Sequence, residues 1–270
     1  MEKLSVYKVD DTWAQYGYYE LYTSWGGKST GEKMIVKNGE LVRTVSSSYV
    51  LLPNEVVREV IDSLAAEFGA TKVTESEDGW KLYILYDFQE EYTVDDASIR
   101  LGFYIQNSVD GKLSLAANVQ NLVMDPKKGS ARIMFPARMT AISPTRVIGV
   151  YKKRHKVGEL ERDVEAIKKE ISSLIVRSRE SIPLYKFWKT VVLDKDDVDY
   201  LVKHIPAVYL PQYIKAMSKG ITLGEVVSLW DVIIDIAKAL WTGDCSLHRK
   251  YQLYRALLSV SEANLHRMAK

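Results

Sequence analysis

Three Asn-Gly or Asp-Gly pairs, Asn38-Gly39, Asp78-Gly79 and Asp110-Gly111, punctuate the first half of this 270-residue chain, each beside a run of alternating apolar residues. An Asn or Asp followed by Gly tolerates the positive φ angles of a tight hairpin turn, so such pairs between alternating runs demand antiparallel neighbours. Met34 to Val45 reads as a hairpin turning at Asn38-Gly39. Trp80, Leu82, Ile84, Tyr86 and Phe88 share one strand face, entered through Asp78-Gly79. Ile99 to Gln106 and Leu113 to Val123 continue the sheet, joined around Asp110-Gly111, and a meander is the simplest arrangement. Upstream, WAQYGYYELYTSW from Trp13 to Trp25 has the aromatic density of half-buried strands.

The helical signals are of a different period. Asn54 is placed as an N-cap for a helix presenting Val57, Val60, Ile61, Leu64 and Phe68 before Gly69 stops it, a helix expected to pack on the sheet. After Gly158 strand-like alternation does not return. Val157, Leu160, Val164, Ile167, Ile171 and Leu174 recur at spacings of three and four, the seam of a long amphipathic helix. Asp194 is placed to cap a helix over Asp196 to His204. Thr222 with Glu225 forms a capping box for a helix bearing Val226, Trp230, Ile233, Ala237 and Trp241, and a last helix runs from about Ser246. The expected fold is α+β: an N-terminal antiparallel, meander-like sheet with at least one packed helix, then an all-helical C-terminal region. The expected domains are 1–155 and 156–270.

Composition narrows the setting. A hydrophobic fraction of 47% and a charged fraction of 27% are those of a globular chain. The one cysteine, Cys245, cannot form an internal disulfide, the N-terminus has no apolar signal core, and no apolar run reaches eighteen residues, so a cytoplasmic, non-membrane protein is expected.

The run LGFYIQNSVDGKLSL, Leu101 to Leu115, resembles the central signature of an uncharacterised phage- and plasmid-borne family (domain of unknown function 932), in which a strand ends in Asn-Ser, turns through Asp-Gly and returns. YVLLPNEVVREVIDSL, Tyr49 to Leu64, and SLWDVIIDIAKAL, Ser228 to Leu240, resemble that family's extended stretch with its helix and its Trp-containing C-terminal helix. Where a Cys-Asn element often follows the family's second strand, this chain has NVQNLVMD, Asn118 to Asp125. The resemblance implies a mobile-element or viral setting and, by association, DNA metabolism; it supplies no catalytic residues.

A net charge of +2 conceals an uneven distribution. Between Pro126 and Gly158 stand Lys127, Lys128, Arg132, Arg138, Arg146, Lys152, Lys153, Arg154 and Lys156, with no Asp or Glu. Such a stretch can neutralise phosphates and release their counterions, and Phe135 and Tyr151 within it could stack on unpaired bases. The bland alternative is a solvated face balanced by acidic neighbours. The expected nucleic-acid-binding residues are these nine cations with Tyr151.

Other chemistry finds little support. The four histidines are scattered and Cys245 to His248 is a lone pair of potential ligands, so no metal site and no cofactor are assigned. Glu75, Asp78 and Lys81 could be read as a nuclease cluster but are better explained by a hairpin turn. No GxxxxGK[ST], GxGxxG or GxSxG pattern is present, and no catalytic residue is assigned, which lowers the weight of an enzymatic role without removing it.

Three readings follow. The first is a nucleic-acid-binding protein of a mobile element or virus, with single-stranded DNA the expected partner, acting in replication, recombination or protection. The second is an interaction or self-assembly module, a homo-oligomer through the helix of residues 159–181. The third and weakest is a metal-dependent nuclease.

Overall fold

The computed structural model describes residues 5–10, 18–25, 28–46, 49, 51–113, 115–135, 142–143, 146–147, 151–153, 168–169, 172–173, 179–221, 224 and 226–268. The fold is α+β. Strands β1 (Ser5–Asp10), β2 (Tyr18–Trp25), β3 (Lys28–Lys37) and β4 (Glu40–Ser46) form a four-stranded antiparallel sheet in chain order. Asn38 and Gly39 join β3 to β4 with φ of 53° and 83°, the pair of positive angles that the sequence prescribes for a two-residue turn.

Helix α1 (Asn54–Glu67) leads into the larger sheet, made by β5 (Thr71–Asp78), β6 (Lys81–Val94), β7 (Ala97–Ser108), β8 (Leu115–Asp125) and β9 (Gly129–Met134). These five pair antiparallel in chain order, so the meander is as the turn signals demanded. The chain turns between β5 and β6 through Gly79 and Trp80, with Asp78 already paired to Lys81, one residue later than the sequence suggested. A further two-residue turn, Asp95-Asp96, connects β6 to β7 with Asp95 at φ 52°.

Two short strands, β10 (Ile142–Ser143) and β11 (Arg146–Val147), form a separate two-stranded ladder, and β12 (Tyr151–Lys153) returns to pair with β8. The described helices that follow are α2 (Ile182–Thr190), α3 (Lys195–His204), α4 (Gln212–Met217), α5 (Leu229–Thr242) and α6 (Leu247–Met268). The long seam predicted from Val157 to Leu174 lies outside the described residues except at 168–169 and 172–173, where the chain is helical and Lys168 pairs with Glu67 at 2.7 Å.

Both faces of β6 are buried, because Leu82, Ile84 and Tyr86 point toward α1 while Tyr83 and Leu85 lie beneath α6. A strand covered on both sides loses the contrast between its alternating residues. Buried side chains from Val57 through the sheet to Val260 form one cluster, so a single core spans the 155/156 boundary expected between domains. A smaller cluster of Ile35, Tyr49, Leu51 and Val109 fastens the N-terminal sheet to the Asp110-Gly111 turn. There Tyr49 Oη donates to the Val109 carbonyl at 3.0 Å, and Arg43 Nη1 to the Asp110 carbonyl at 3.2 Å.

Helix ends supply two corrections. Pro53 holds the N-cap position of α1, and buried Asn54 instead accepts from Asn107 Nδ2 at 2.9 Å, tying the helix to β7. Helix α5 is capped by Ser228, whose hydroxyl accepts from Asp231 N while the Asp231 carboxylate accepts from Ser228 N; Val226 precedes the helix, and Thr222 and Glu225 lie outside the described residues. Asp194 caps α3 as expected, in a capping box with Asp197. No helix among the described residues is long and apolar enough to cross a membrane.

Candidate nucleic-acid interface and the buried carboxamides

The basic stretch opens on the turn from β8 to β9. Oδ1 of Asp125 accepts from the backbone N of Lys127 at 2.8 Å and of Lys128 at 2.9 Å, while Oδ2 accepts from Trp230 Nε1 at 3.0 Å. Burial works to raise the Asp125 pKa, but the two amides, the indole and the Lys189 charge together hold it below the ordinary value. Lys127 is exposed on this turn.

Lys128 is committed inward. Its Nζ lies 2.9 Å from Asp235 and 3.3 Å from Asp231 on α5, and Tyr213 Oη donates to the same Asp235 oxygen. Burial works against the Lys128 charge, and the two carboxylates outweigh it and raise the pKa.

Arg132 requires a larger correction. On β9 it is 5% exposed; Nη1 and Nη2 reach Asp87 at 2.5 and 2.9 Å, and Nη1 also donates to Gln120 Oε1 at 2.8 Å. Gln120 Nε2 completes the ring by donating to Asp87 Oδ1 at 2.6 Å and to the Tyr86 carbonyl at 2.8 Å. The Trp241 ring lies 5.3 Å from the guanidinium. The network needs Gly102, since a Cβ there would collide with the Gln120 side chain and the Tyr86 carbonyl. An arginine so enclosed is held by its carboxylate and cannot meet a phosphate without unpairing a buried charge.

Arg146, Lys152 and Lys153 belong to one topological feature. Met134 of β9 pairs with Gln120, and Phe135 N donates to the Val119 carbonyl at 2.9 Å; sixteen residues later Tyr151 of β12 pairs with Ala117 on the same edge of β8. Strands β9 and β12 thus occupy one line along β8, and of the chain between them residues 142–143 and 146–147 pair with each other. Arg146 belongs to that β10–β11 ladder, paired with Ser143, while Tyr151, Lys152 and Lys153 form β12. Arg138, Arg154 and Lys156 lie outside the described residues.

Asn118 sits where the edge passes from β9 to β12. It is fully buried, and neither its Oδ1 nor its Nδ2 has a hydrogen-bond partner. Register places it opposite Tyr104 and diagonal to Gln106, which is 4% exposed with an unpartnered Oε1. Asn107 and Asn121, on the other face of the same two strands, each use their amide nitrogen: Asn107 toward Leu52 and Asn54, Asn121 toward Ser181 and Tyr185. Sequence reasoning passed over these four carboxamides and Gln120. The signal was present in QNS at Gln106 to Ser108 and NVQN at Asn118 to Asn121, runs too polar for strands at the centre of a sheet.

Titratable groups elsewhere on this face serve packing. Tyr83 Oη and His248 Nδ1 are 2.5 Å apart, joining β6 to α6. Burial, aided by the Lys81 and Arg249 charges and opposed by Asp78, lowers the His248 pKa. Lys250 Nζ donates to the Trp241 carbonyl at 2.9 Å at the end of α5, and burial lowers its pKa. Glu75 binds Arg58 and Lys72, and Asp78 pairs across its turn with Lys81, as a structural hairpin requires. No group of three or more His, Cys, Asp or Glu among the described residues could hold a metal.

No protein-family model, no curated protein and no solved structure matches this chain.

Proposed function

We propose that this protein binds nucleic acid, single strands in preference to duplex, in the setting of a mobile element or virus. The observation that carries the reading is the run from Pro126 to Gly158, with nine cations and no carboxylate. Internal partners hold Lys128 and Arg132. The other seven are Lys127, exposed on the β8–β9 turn, Arg146 on β11, Lys152 and Lys153 on β12, and Arg138, Arg154 and Lys156, which lie outside the described residues. Cations of this stretch supply a sequence-independent electrostatic contact; Phe135, expected from the sequence as a stacking face, is instead 1% exposed and packed edge-on against Tyr185. The resemblance to the phage- and plasmid-borne family is in keeping with such a ligand.

The test is a fluorescence-anisotropy titration against single-stranded DNA, duplex DNA and RNA of equal length at two salt concentrations. Tightest binding to single-stranded DNA, weakened by salt, is the expected result. Absence of binding to all three at low salt overturns the reading.

One observation favours a second reading, protein association. Val192, Ile221 and Val226, exposed by 59%, 56% and 76%, border a shallow apolar groove of about 370 Å³ beside α3. Light scattering of the wild type and of Val226→Asp tests it: a larger species lost in the variant supports association, and two equal monomers refute it.

A further inference from the structure

The first turn of α6 is joined to the β5–β6 hairpin by polar contacts that depend on the placing of one proton. His248 Nδ1 is 2.5 Å from Tyr83 Oη on β6, and His248 Nε2 is 3.0 Å from Gln252 Nε2, one turn along the helix. The Gln252 carboxamide is oriented from its far side, since its Oε1 accepts from Arg249 Nη1 at 3.1 Å. Its nitrogen therefore faces the imidazole, and an amide nitrogen can only donate. His248 Nε2 must then present a lone pair, which leaves the single proton of the neutral ring on Nδ1, donated to the Tyr83 oxygen.

The surroundings favour the uncharged ring. Burial and then the Lys81 charge on β6 disfavour a positive imidazole, Asp78 at the end of β5 favours one, and Arg249 on α6 disfavours it. The Asp78 carboxylate already accepts from Ser246 Oγ at 3.2 Å. Tyr83 stays a neutral phenol, because burial, followed by Tyr251 and Asp78, raises its pKa. The same turn carries buried Leu247 and Tyr251, and Lys250, whose Nζ donates to the Trp241 carbonyl at 2.9 Å and the Gly243 carbonyl at 3.4 Å where α5 ends.

We propose that His248 is an acid-sensitive latch, which fastens the first turn of α6 to the β5–β6 hairpin while its ring is neutral and loosens it when the ring takes up a proton. A proton added at Nε2 sets two donors, the ring N–H and the Gln252 amide, against each other beside the Lys81 and Arg249 charges. The carboxamide must turn over and give up Arg249, or the ring must leave Tyr83. Leu247 and Tyr251 remain buried in either case, so the loosening is confined to the corner where α5 meets α6. The device stands apart from the question of what the chain binds.

The experiment uses the full chain labelled with nitrogen-15. Long-range proton–nitrogen spectra of the His248 ring at about pH 7.5 are expected to place its proton on Nδ1. The ring is expected to titrate below 6.5. Between about pH 7.5 and about pH 5, amide protection factors over residues 246–252 are expected to fall about two- to tenfold, the worth of one hydrogen bond. His248→Gln is expected to remove most of that response. Gln252→Glu is expected to remove it as well while raising the titration midpoint, because a carboxylate accepts from a protonated Nε2. A ring proton on Nε2 at the higher pH, or protection unchanged between the two pH values, overturns the proposal. So does a fall of equal size in His248→Gln, which would assign the response to Asp78 instead. If His248→Gln does not fold, Gln252→Glu, at an exposed position, carries the comparison, and a fall as large as that of the wild type overturns the latch.

Discussion

Removing the Asp87 carboxylate tests whether Arg132 belongs to the core or to a binding surface. In the folded protein the two side chains are 11% and 6% exposed, the guanidinium makes two contacts to Asp87, and among the described residues its other hydrogen-bond acceptor is Gln120 Oε1. Asp87→Ala leaves a buried cation with one neutral acceptor and removes a partner of Gln120 as well. Breaking a buried pair from one side costs about 3–5 kcal/mol, a large share of the roughly 5–15 kcal/mol that stabilises a typical domain. Arg132→Met is expected to lose a similar amount by stranding the carboxylate. Urea unfolding followed by tryptophan fluorescence and far-UV circular dichroism reads the effect. With a slope of about 3 kcal/mol/M, the midpoint moves down by about 1–1.7 M. The double variant Asp87→Leu, Arg132→Met removes both charges and is expected to recover at least half of that loss. At a temperature where Arg132→Met is folded, its affinity for single-stranded DNA is expected to equal that of the wild type. Single variants losing less than about 1 kcal/mol, or a folded Arg132→Met with weakened DNA binding, would refute the core assignment.

Gly102→Ala drives a methyl group into Gln120 and the Tyr86 carbonyl and is expected to cost about 1–3 kcal/mol, read from the same urea midpoints. Ser228→Ala removes the α5 cap and is expected to cost about 1 kcal/mol, with faster amide exchange in the first turn of that helix, while Thr222→Ala, at the cap suggested by sequence, is expected to change neither. His248 has a folded pKa below its ordinary value of 6.5, so the unfolded chain takes up the proton more readily. Its contribution is present above about pH 6.5 and is lost as pH falls toward the depressed folded value; unfolding at about pH 7.5 and about pH 5 should show this loss in the wild type and less of it in His248→Gln.

Turn chemistry made the meander legible. Asn38-Gly39 and Asp110-Gly111 mark real reversals because so few residues accept the backbone angles these turns need. The amphipathic face of α1 was legible for a similar reason: Val57, Ile61 and Leu64 repeat at the helical period and are buried. What was not legible depends on contacts distant in the chain. Arg132 carries the same charge as Lys127, and only Asp87, forty-five residues away, makes it structural. Asn54 has the composition of an N-cap, and Asn107, fifty-three residues on, decides that it bonds to the sheet instead. Asn118 and Gln106 become diagonal neighbours only through the register of β7 on β8.

The most direct test of nucleic-acid binding by the basic stretch is the dependence of affinity for single-stranded DNA on salt, between about 50 and 200 mM, in charge variants. Each phosphate neutralised on a single strand contributes about −0.7 to the slope of log affinity against log salt, so the seven cations of the stretch other than Lys128 and Arg132 set a limit near −5 were all of them to meet phosphates. Replacing Lys152, Lys153 and Arg154 with Ala is expected to flatten the slope by about 2 and to weaken binding, whereas Lys128→Ala, whose charge faces Asp231 and Asp235, is expected to leave the slope unchanged. A slope untouched by the triple substitution, in a folded protein that still binds, would contradict the assignment of this segment.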